Sequence, residues 1–322
     1  MSELARLADQ LRDGIGIRHK QDIGSVVARL GLADSAIAVG DDCAAIANGD
    51  GWLLLAIEGF LPSFVANEPF FAGYCGVMVN LSDIAAMGGR PLAVVDALFS
   101  RDASHAGPVL DGLARASAVY GVPVLGGHSN LRASSEQLSV AVLGRARSLL
   151  SSFAARPGET LLAAIDLRGQ FREPYDWWDA SSACVDPARL RGDLELLPLI
   201  AERGLSGSAK DISMGGLIGT ALMLAECSGI GLAIAPALVP RPSGVDLPRW
   251  LSAFPSFGFL LTCAPDCAEA VIALFAERNI ACAAIGRCER GSRVDLIEGD
   301  ARETIRDVAL APLLGCGPGW VP

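Results

Sequence analysis

The chain has 322 residues, 51% of them hydrophobic and 19% charged, with a formal net charge of −10 at pH 7. That length suits about two ordinary domains, and so apolar a composition excludes a disordered chain. The acidic balance argues against a nucleic-acid partner. No apolar run approaches the roughly 18–20 residues that span a bilayer, and Met1–Arg12 lacks the pattern of a secretory leader, so a cytoplasmic protein is expected.

Ser2–Arg12 reads as an amphipathic helix, with Leu4, Leu7, Ala8 and Leu11 at helical spacing behind Ser2 as a cap. A break follows at 13–17, then a helix over Gln21–Leu30 that stops at Gly31. Ala36–Val39 and Trp52–Ile57 have the character of buried strands, with a turn at Asn48-Gly49-Asp50-Gly51. A long helix is expected over Phe70–Met87, ended by Gly88-Gly89 with Pro91 beyond. Strands over Leu92–Phe99, Val122–Leu125 and Gln137–Leu143 surround a helix over Ala106–Tyr120. Several adjacent strands mixed with helices point to an α+β class.

The stretch 148–158, with Ser151-Ser152 and Arg156-Pro157-Gly158, reads as a linker. Domains over 1–148 and 149–322 are therefore expected. In the second half a strand over Leu161–Ile165 precedes an irregular stretch, Arg168–Pro187. There Phe171, Tyr175, Trp177 and Trp178 alternate with charges. It is either a substrate lid or a packed loop. Helices over Leu190–Arg203, about 216–227 and Cys267–Arg278 alternate with strands over Phe257–Thr262 and Ala281–Ile285. The nine cysteines are scattered and read as reduced, buried apolar residues.

The acids carry the chemistry. Asp83 sits in a segment whose neighbours Val77, Met78, Leu81, Ile84, Ala85 and Met87 would bury it nearly all round. A buried carboxylate must be paired, hydrogen-bonded or metal-bound. Two readings stand side by side. Either Asp41, Asp42 and Asp83 converge on a hard cation such as Mg²⁺, or Asp83 caps a loop and Asp41-Asp42 is a turn. Gly88-Gly89 and Gly126-Gly127 would let backbone N–H groups approach phosphate oxygens, or they are ordinary element ends.

Four motifs occur in order: Gly40-Asp41-Asp42-Cys43-Ala44, Asn80-Leu81-Ser82-Asp83-Ile84-Ala85-Ala86-Met87-Gly88, Gly126-Gly127-His128-Ser129 and Asp211-Ile212-Ser213. Order and spacing resemble the aminoimidazole ribonucleotide synthetase (PurM-like) superfamily, above all its AIR synthase-related proteins. They are also similar to thiamine-monophosphate kinase and selenophosphate synthetase. The resemblance implies an N-terminal α/β domain whose mixed sheet pairs with that of a second subunit into a barrel, and a C-terminal α+β domain. It implies a homodimer that binds ATP and Mg²⁺ together with a small-molecule acceptor. Metal ligands would be Asp42, Asp83 and Asp211, with Asp41 adjoining and Glu58 at a strand end. The nucleotide would lie against Asn80, Gly88, Gly126, Gly127 and Ser129, with Arg145 as a nucleotide-contacting arginine. Lys20 is either a lysine that closes over the nucleotide or a solvated one. Lys210 either meets phosphate or only pairs with Asp211, and His128 touches phosphate or acceptor unless a backbone carbonyl holds it.

Three departures separate the chain from thiamine-monophosphate kinase. Glu58 stands where that family has Thr-Asp, the Leu61–Asn67 loop lacks its His-Phe, and Met214 replaces a second acid. No cysteine precedes Cys43, which excludes the reactive-cysteine route of selenophosphate synthetase. Two functions are thus expected in order: an ATP- and Mg²⁺-dependent phosphotransferase or synthetase, or a nucleotide-binding regulator without catalysis.

Overall fold

The structure is a computed structural model that describes residues 1–12, 14–32, 35, 37–183 and 185–316. It opens with helices α1 (Glu3–Arg12), α2 (Ile15–Lys20) and α3 (Asp22–Leu30). The next elements are β1 (Ala44–Asn48), β2 (Gly51–Phe60), α4 (Pro62–Asn67), α5 (Pro69–Ala86), β3 (Arg90–Phe99), α6 (Ala103–Tyr120), β4 (Val124–Asn130) and β5 (Gln137–Ala146). Then come β6 (Thr160–Ile165), β7 (Gln170–Phe171), β8 (Trp177–Asp179), α7 (Pro187–Leu194), α8 (Leu196–Glu202), β9 (Ser208–Asp211) and α9 (Gly216–Ser228). The chain continues through β10 (Gly231–Ile234), α10 (Leu247–Leu251), β11 (Phe254–Pro255), β12 (Gly258–Cys263), α11 (Ala268–Ala276), β13 (Ala281–Glu289), β14 (Arg293–Glu298) and β15 (Ala301–Asp307).

Two compact units result, and both are discontinuous. One holds Met1–Asp42, Leu149–Ala180 and the chain from Ile200 onward; the other holds Cys43–Ser148 and Ser181–Leu199. The units therefore differ from a single division at 148/149. In the first unit Arg12 explains part of this: its guanidinium donates to the Thr304 carbonyl from Nε at 3.0 Å and from Nη2 at 2.7 Å, tying α1 to β15. Sequence proximity carries no trace of that contact.

The Cys43–Ser148 unit is built on a five-stranded sheet, ordered β1-β2-β5-β3-β4. All its neighbours are antiparallel except β3 and β4, which run parallel with α6 as crossover. Period-2 alternation gives the sheet two faces. Leu54, Val94, Leu98, Val140 and Val142 point inward and are buried. Helix α5 covers that face, so closely that a Cβ on Gly76 would lie 2.8 Å from Val140 Cγ2. Its sequence is apolar almost all round, as a helix buried on every side must be, and Phe71–Ala86 are all buried.

The other unit carries a seven-stranded sheet, ordered β15-β14-β10-β13-β6-β12-β9, and a small sheet of β11-β8-β7. Strands β6, β9, β10 and β12 are buried almost throughout. Within the Arg168–Pro187 stretch, β7 and β8 form a packed hairpin: Trp178 and Trp250 are 6% and 3% exposed with ring centroids 5.1 Å apart. Arg249 lies over Phe171 at 3.8 Å and also binds Glu173 and Asp176.

Several expectations change. The strand expected at Ala36–Val39 is absent from the described residues 37–39, while Ala36 lies outside them; the strand lies at Ala44–Asn48. Residues 15–17, part of the break expected at 13–17, lie in α2, and the single helix expected over Leu190–Arg203 is divided into α7 and α8. The strand expected over Val122–Leu125 begins at Val124 and runs on through Asn130 as β4.

Candidate functional site

The site grows from the loop that enters β1. Gly40 has φ +128°, a backbone conformation that favours glycine. The turn it makes delivers Asp41 and Asp42 to the end of β9. Asp42 Oδ1 accepts from Lys210 Nζ at 2.5 Å, and Asp42 Oδ2 accepts from the Asp211 backbone N–H at 3.2 Å. Lys210 Nζ also donates to the Gly40 carbonyl at 3.3 Å and to Ser152 Oγ at 3.5 Å. Both side chains of the Lys210–Asp42 pair are 4% exposed. Asp211 is equally buried, and Asp42 and Asp211 each present a carboxylate oxygen within 4.8 Å of the other. Asp211 is held by its neighbours too, since Thr220 Oγ1 donates to its carbonyl at 3.2 Å.

Asp41 does different work. Its Oδ2 accepts from Ser151 Oγ at 2.6 Å and its Oδ1 from the Ser152 N–H at 2.8 Å. This fastens the acid loop to the segment read from sequence as a linker, and both Asp41 carboxylate oxygens are engaged there.

Burial raises the Asp41 carboxyl above its usual range; Lys210 pulls it down and Asp42 pushes it up again. For Lys210 burial acts to lower the pKa, but Asp42 and Asp41 outweigh it and hold the ammonium above its ordinary value. The Cys227 thiol is pushed well up by burial, with Lys210 opposing, so it is a protonated, unreactive neighbour.

Several expected site residues have other roles. Lys210 pairs with Asp42. Asn80 is 0% exposed and donates its amide to the Gly76 and Val140 carbonyls at 2.8 and 3.0 Å, which anchors α5 to β5. The N–H groups of Gly88 and Gly89 close the end of α5 on the Ala85 and Ile84 carbonyls. The Gly88-Gly89 pair is therefore a helix end. Gly127 is required by the sheet, because a Cβ there would stand 2.0 Å from the Asp96 carbonyl. Gly126, by contrast, is exposed at φ +126°.

His128 and Ser129 are exposed on the edge strand β4, where the His128 ring lies 5.6 Å from that of Phe99. Arg145 is exposed on β5, opposite Leu53. Glu58 is half-buried on β2 opposite Val140, on the helix-facing side of the sheet. Asp83 is 6% exposed in the last turn of α5, in the same unit as Glu58. Lys20, half-buried, ends α2, a helix that crosses the turn after Asp211 so tightly that a Cβ on Gly16 would stand 1.9 Å from the Met214 carbonyl.

Sequence reasoning missed Ser151, Ser152 and Cys227. Their only signal is a pair of small polar residues and a cysteine, which many loops and cores share.

The donor set of the Asp42–Asp211 pair is hard oxygen. Such sites suit Mg²⁺, which is commonly held by one or two carboxylates with substrate phosphates completing its shell. Lys210 pairs with Asp42, while the Asp42 and Asp211 carboxylate oxygens lie within 4.8 Å of each other. A divalent cation fits there.

Comparison with known proteins agrees with this fold. The chain matches the AIR synthase related protein N-terminal domain over residues 40–146 and the corresponding C-terminal domain over residues 159–298. An uncharacterised protein of Synechocystis is 42% identical over 97% of this chain and 98% of its own. The thiamine-monophosphate kinase of Synechococcus elongatus is 26% identical over 74% of this chain and 81% of its own. The structure of Thermotoga maritima PurL complexed with AMPPCP superposes with a TM-score of 0.74 at 16% identity, covering 97% of this chain. This chain spans about half, 51%, of that PurL chain. The protein belongs to the AIR synthase-related family and has the two-domain mixed α/β fold of the PurM-like superfamily. No helix among the described residues is long and apolar enough to cross a membrane.

Proposed function

We propose that the protein is an ATP- and Mg²⁺-dependent phosphotransferase or synthetase that acts on a small-molecule acceptor. The observation that carries this is the buried pair of carboxylates, Asp42 and Asp211, with oxygens within 4.8 Å of one another. The family resemblance adds Asp83 and Glu58 as further candidate metal ligands. The relatives support it, because Thermotoga maritima PurL has been solved complexed with AMPPCP and a thiamine-monophosphate kinase stands among the homologues. When bound, Mg²⁺ neutralises charge that develops on transferring phosphoryl groups. The chain's own part is to aim the carboxylates, with Lys210 and the Ser151–Ser152 segment fixing the loop. Exposed His128, Ser129 and Arg145 meet phosphates or acceptor. Two copies of the chain pair through the five-stranded sheet.

The test is Mg²⁺-dependent ATP hydrolysis across a panel of small acceptors, with Asp83→Asn beside the native chain. The variant is expected to keep its circular dichroism and lose on the order of tenfold or more in Mg²⁺-ATP affinity, the scale of losing one charge-assisted contact. Unchanged affinity in a folded Asp83→Asn protein removes Asp83 from the site.

A second reading rests on Met214. It stands where thiamine-monophosphate kinases have a second acid, and its carbonyl is packed under Gly16. A nucleotide-binding regulator without turnover fits that loss. ATP binding with no acceptor-stimulated turnover decides for it.

A further inference from the structure

Residues 313–316 pack beside the acid loop, and nothing in the proposed chemistry uses them. Leu313, Leu314 and Cys316 are 2%, 2% and 4% exposed. Their backbone N–H groups all donate to one carboxylate, that of Glu226 on α9, which is itself 1% exposed. Leu314 donates to Oε1 at 3.1 Å and Oε2 at 3.0 Å, Cys316 donates to Oε1 at 3.1 Å, and Leu313 donates to Oε2. A buried carboxylate needs such donors, and removing its charge leaves the donors unmet.

The segment so held touches the acid loop. A Cβ built on Gly40 would stand 3.0 Å from Cys316 Cβ, 3.0 Å from Cys227 Sγ and 3.4 Å from the Phe153 ring. Cys227 follows Glu226 directly on α9, and its thiol donates to the Gly40 carbonyl at 3.5 Å. Gly40 is thus enclosed by residues 313–316 on one side and α9 on another. The residue after next is Asp42, whose carboxylate is half of the Asp42–Asp211 pair. From α3, Gly24 leans on the same segment, since its Cβ would lie 3.3 Å from the Leu314 carbonyl.

We propose that Glu226 is a positioning residue: by fastening Leu313–Cys316 against Gly40, it sets the loop geometry on which the metal affinity of Asp42 and Asp211 depends. This rests on the metal reading above and adds a device to it. Groups that orient ligands from behind commonly change metal affinity by about 10–100-fold when replaced. Linkage makes the coupling reciprocal. If residues 313–316 set the affinity, metal must in turn steady them.

The experiment uses the full chain and Mn²⁺ alone, an ion that shares Mg²⁺'s preference for oxygen ligands. Free Mn²⁺ is counted by electron paramagnetic resonance. Glu226→Gln is expected to bind Mn²⁺ at least about tenfold more weakly than the native chain. Cys316→Ala, which keeps the Cβ that meets Gly40, is expected to bind as the native chain does. In the native chain, Mn²⁺ is expected to slow hydrogen exchange at the amides of Leu313, Leu314 and Cys316. Equal Mn²⁺ affinity in a folded Glu226→Gln protein overturns the proposal. So does native exchange at those amides that Mn²⁺ leaves unchanged, a readout that stands even where Glu226→Gln does not fold. A native chain that binds no Mn²⁺ sinks the metal reading itself, which separates the two failures.

Discussion

Lys210 lies buried between two carboxylates, which makes it a stabiliser of the site before it is anything else. Removing one partner of a buried pair leaves an uncompensated charge, a loss of about 3–5 kcal/mol. Lys210→Met is therefore expected to lower unfolding free energy by about that much in denaturant titrations. The loss has a definite pH dependence. Asp41 already has a folded pKa raised by burial, and without the ammonium it rises further. A carboxyl with a raised folded pKa favours the protonated folded state, so stability falls as pH rises from the unfolded value of about 3.9 through the folded one. The gap between variant and native protein should be narrow near pH 4 and widen toward neutrality. A gap that is constant with pH would show that lost packing, not charge, is responsible. At this scale the sequence was half legible. Asp41-Asp42 stands out beside Gly40, and Asp83 stands out among apolar neighbours. The direction of Lys210 was not readable, because a lysine beside an aspartate in sequence sends its side chain to the opposite face of a strand. Asp211 and Lys210 alternate along β9, and the partner came from a loop far away in sequence.

Helices α5 and α6 meet through glycine. A Cβ on Gly73 would lie 2.0 Å from the Val109 carbonyl, and one on Gly112 would lie 2.0 Å from the Phe70 carbonyl and 2.8 Å from the Tyr74 nitrogen. Backbone faces backbone at both points, so neither neighbour can rotate away. Gly112→Ala must move the helices apart and is expected to destabilise by about 1–3 kcal/mol, as overpacked cores do. Gly107 on the same helix has nothing within 4 Å of its Cβ position. Gly107→Ala is expected to be neutral or stabilising by up to about 1 kcal/mol, from helix propensity alone. Paired thermal melts check both, and equal effects at the two positions would refute the close-contact account. Long elements such as these were readable, since α5 and α6 carry sustained periodicity and end at Gly88 and Gly121. Short ones were not. Helix α2 has six residues interrupted by Gly16, and that glycine reflects contact with Met214 and not a turn. The run of β4 past Leu125 to Asn130 was not readable, because glycine signals turns more often than close strand approach.

At the scale of the molecule, the five-stranded sheet leaves one face uncovered. Ile57, Leu55, Val95 and Leu143 are 68%, 48%, 46% and 40% exposed. Register brings them together, because Leu55 lies opposite Leu143 on β5, and Ile57 and Val95 both lie opposite Ala141. Contiguous apolar faces of this kind are rare on monomers, and strands β1 and β4 leave the sheet with two open edges. Pairing with a second copy covers the face and protects the edges together, the arrangement that the family resemblance implies. The native chain is expected to sediment as a dimer at micromolar concentration. Ile57→Lys, which places a charge in the middle of the face, is expected to shift it to monomer with unchanged circular dichroism. Leu310→Lys, at a residue 84% exposed and outside the sheet, should leave the dimer intact. A dimer that survives Ile57→Lys would place the interface elsewhere, and the uncovered sheet face would then await a different partner.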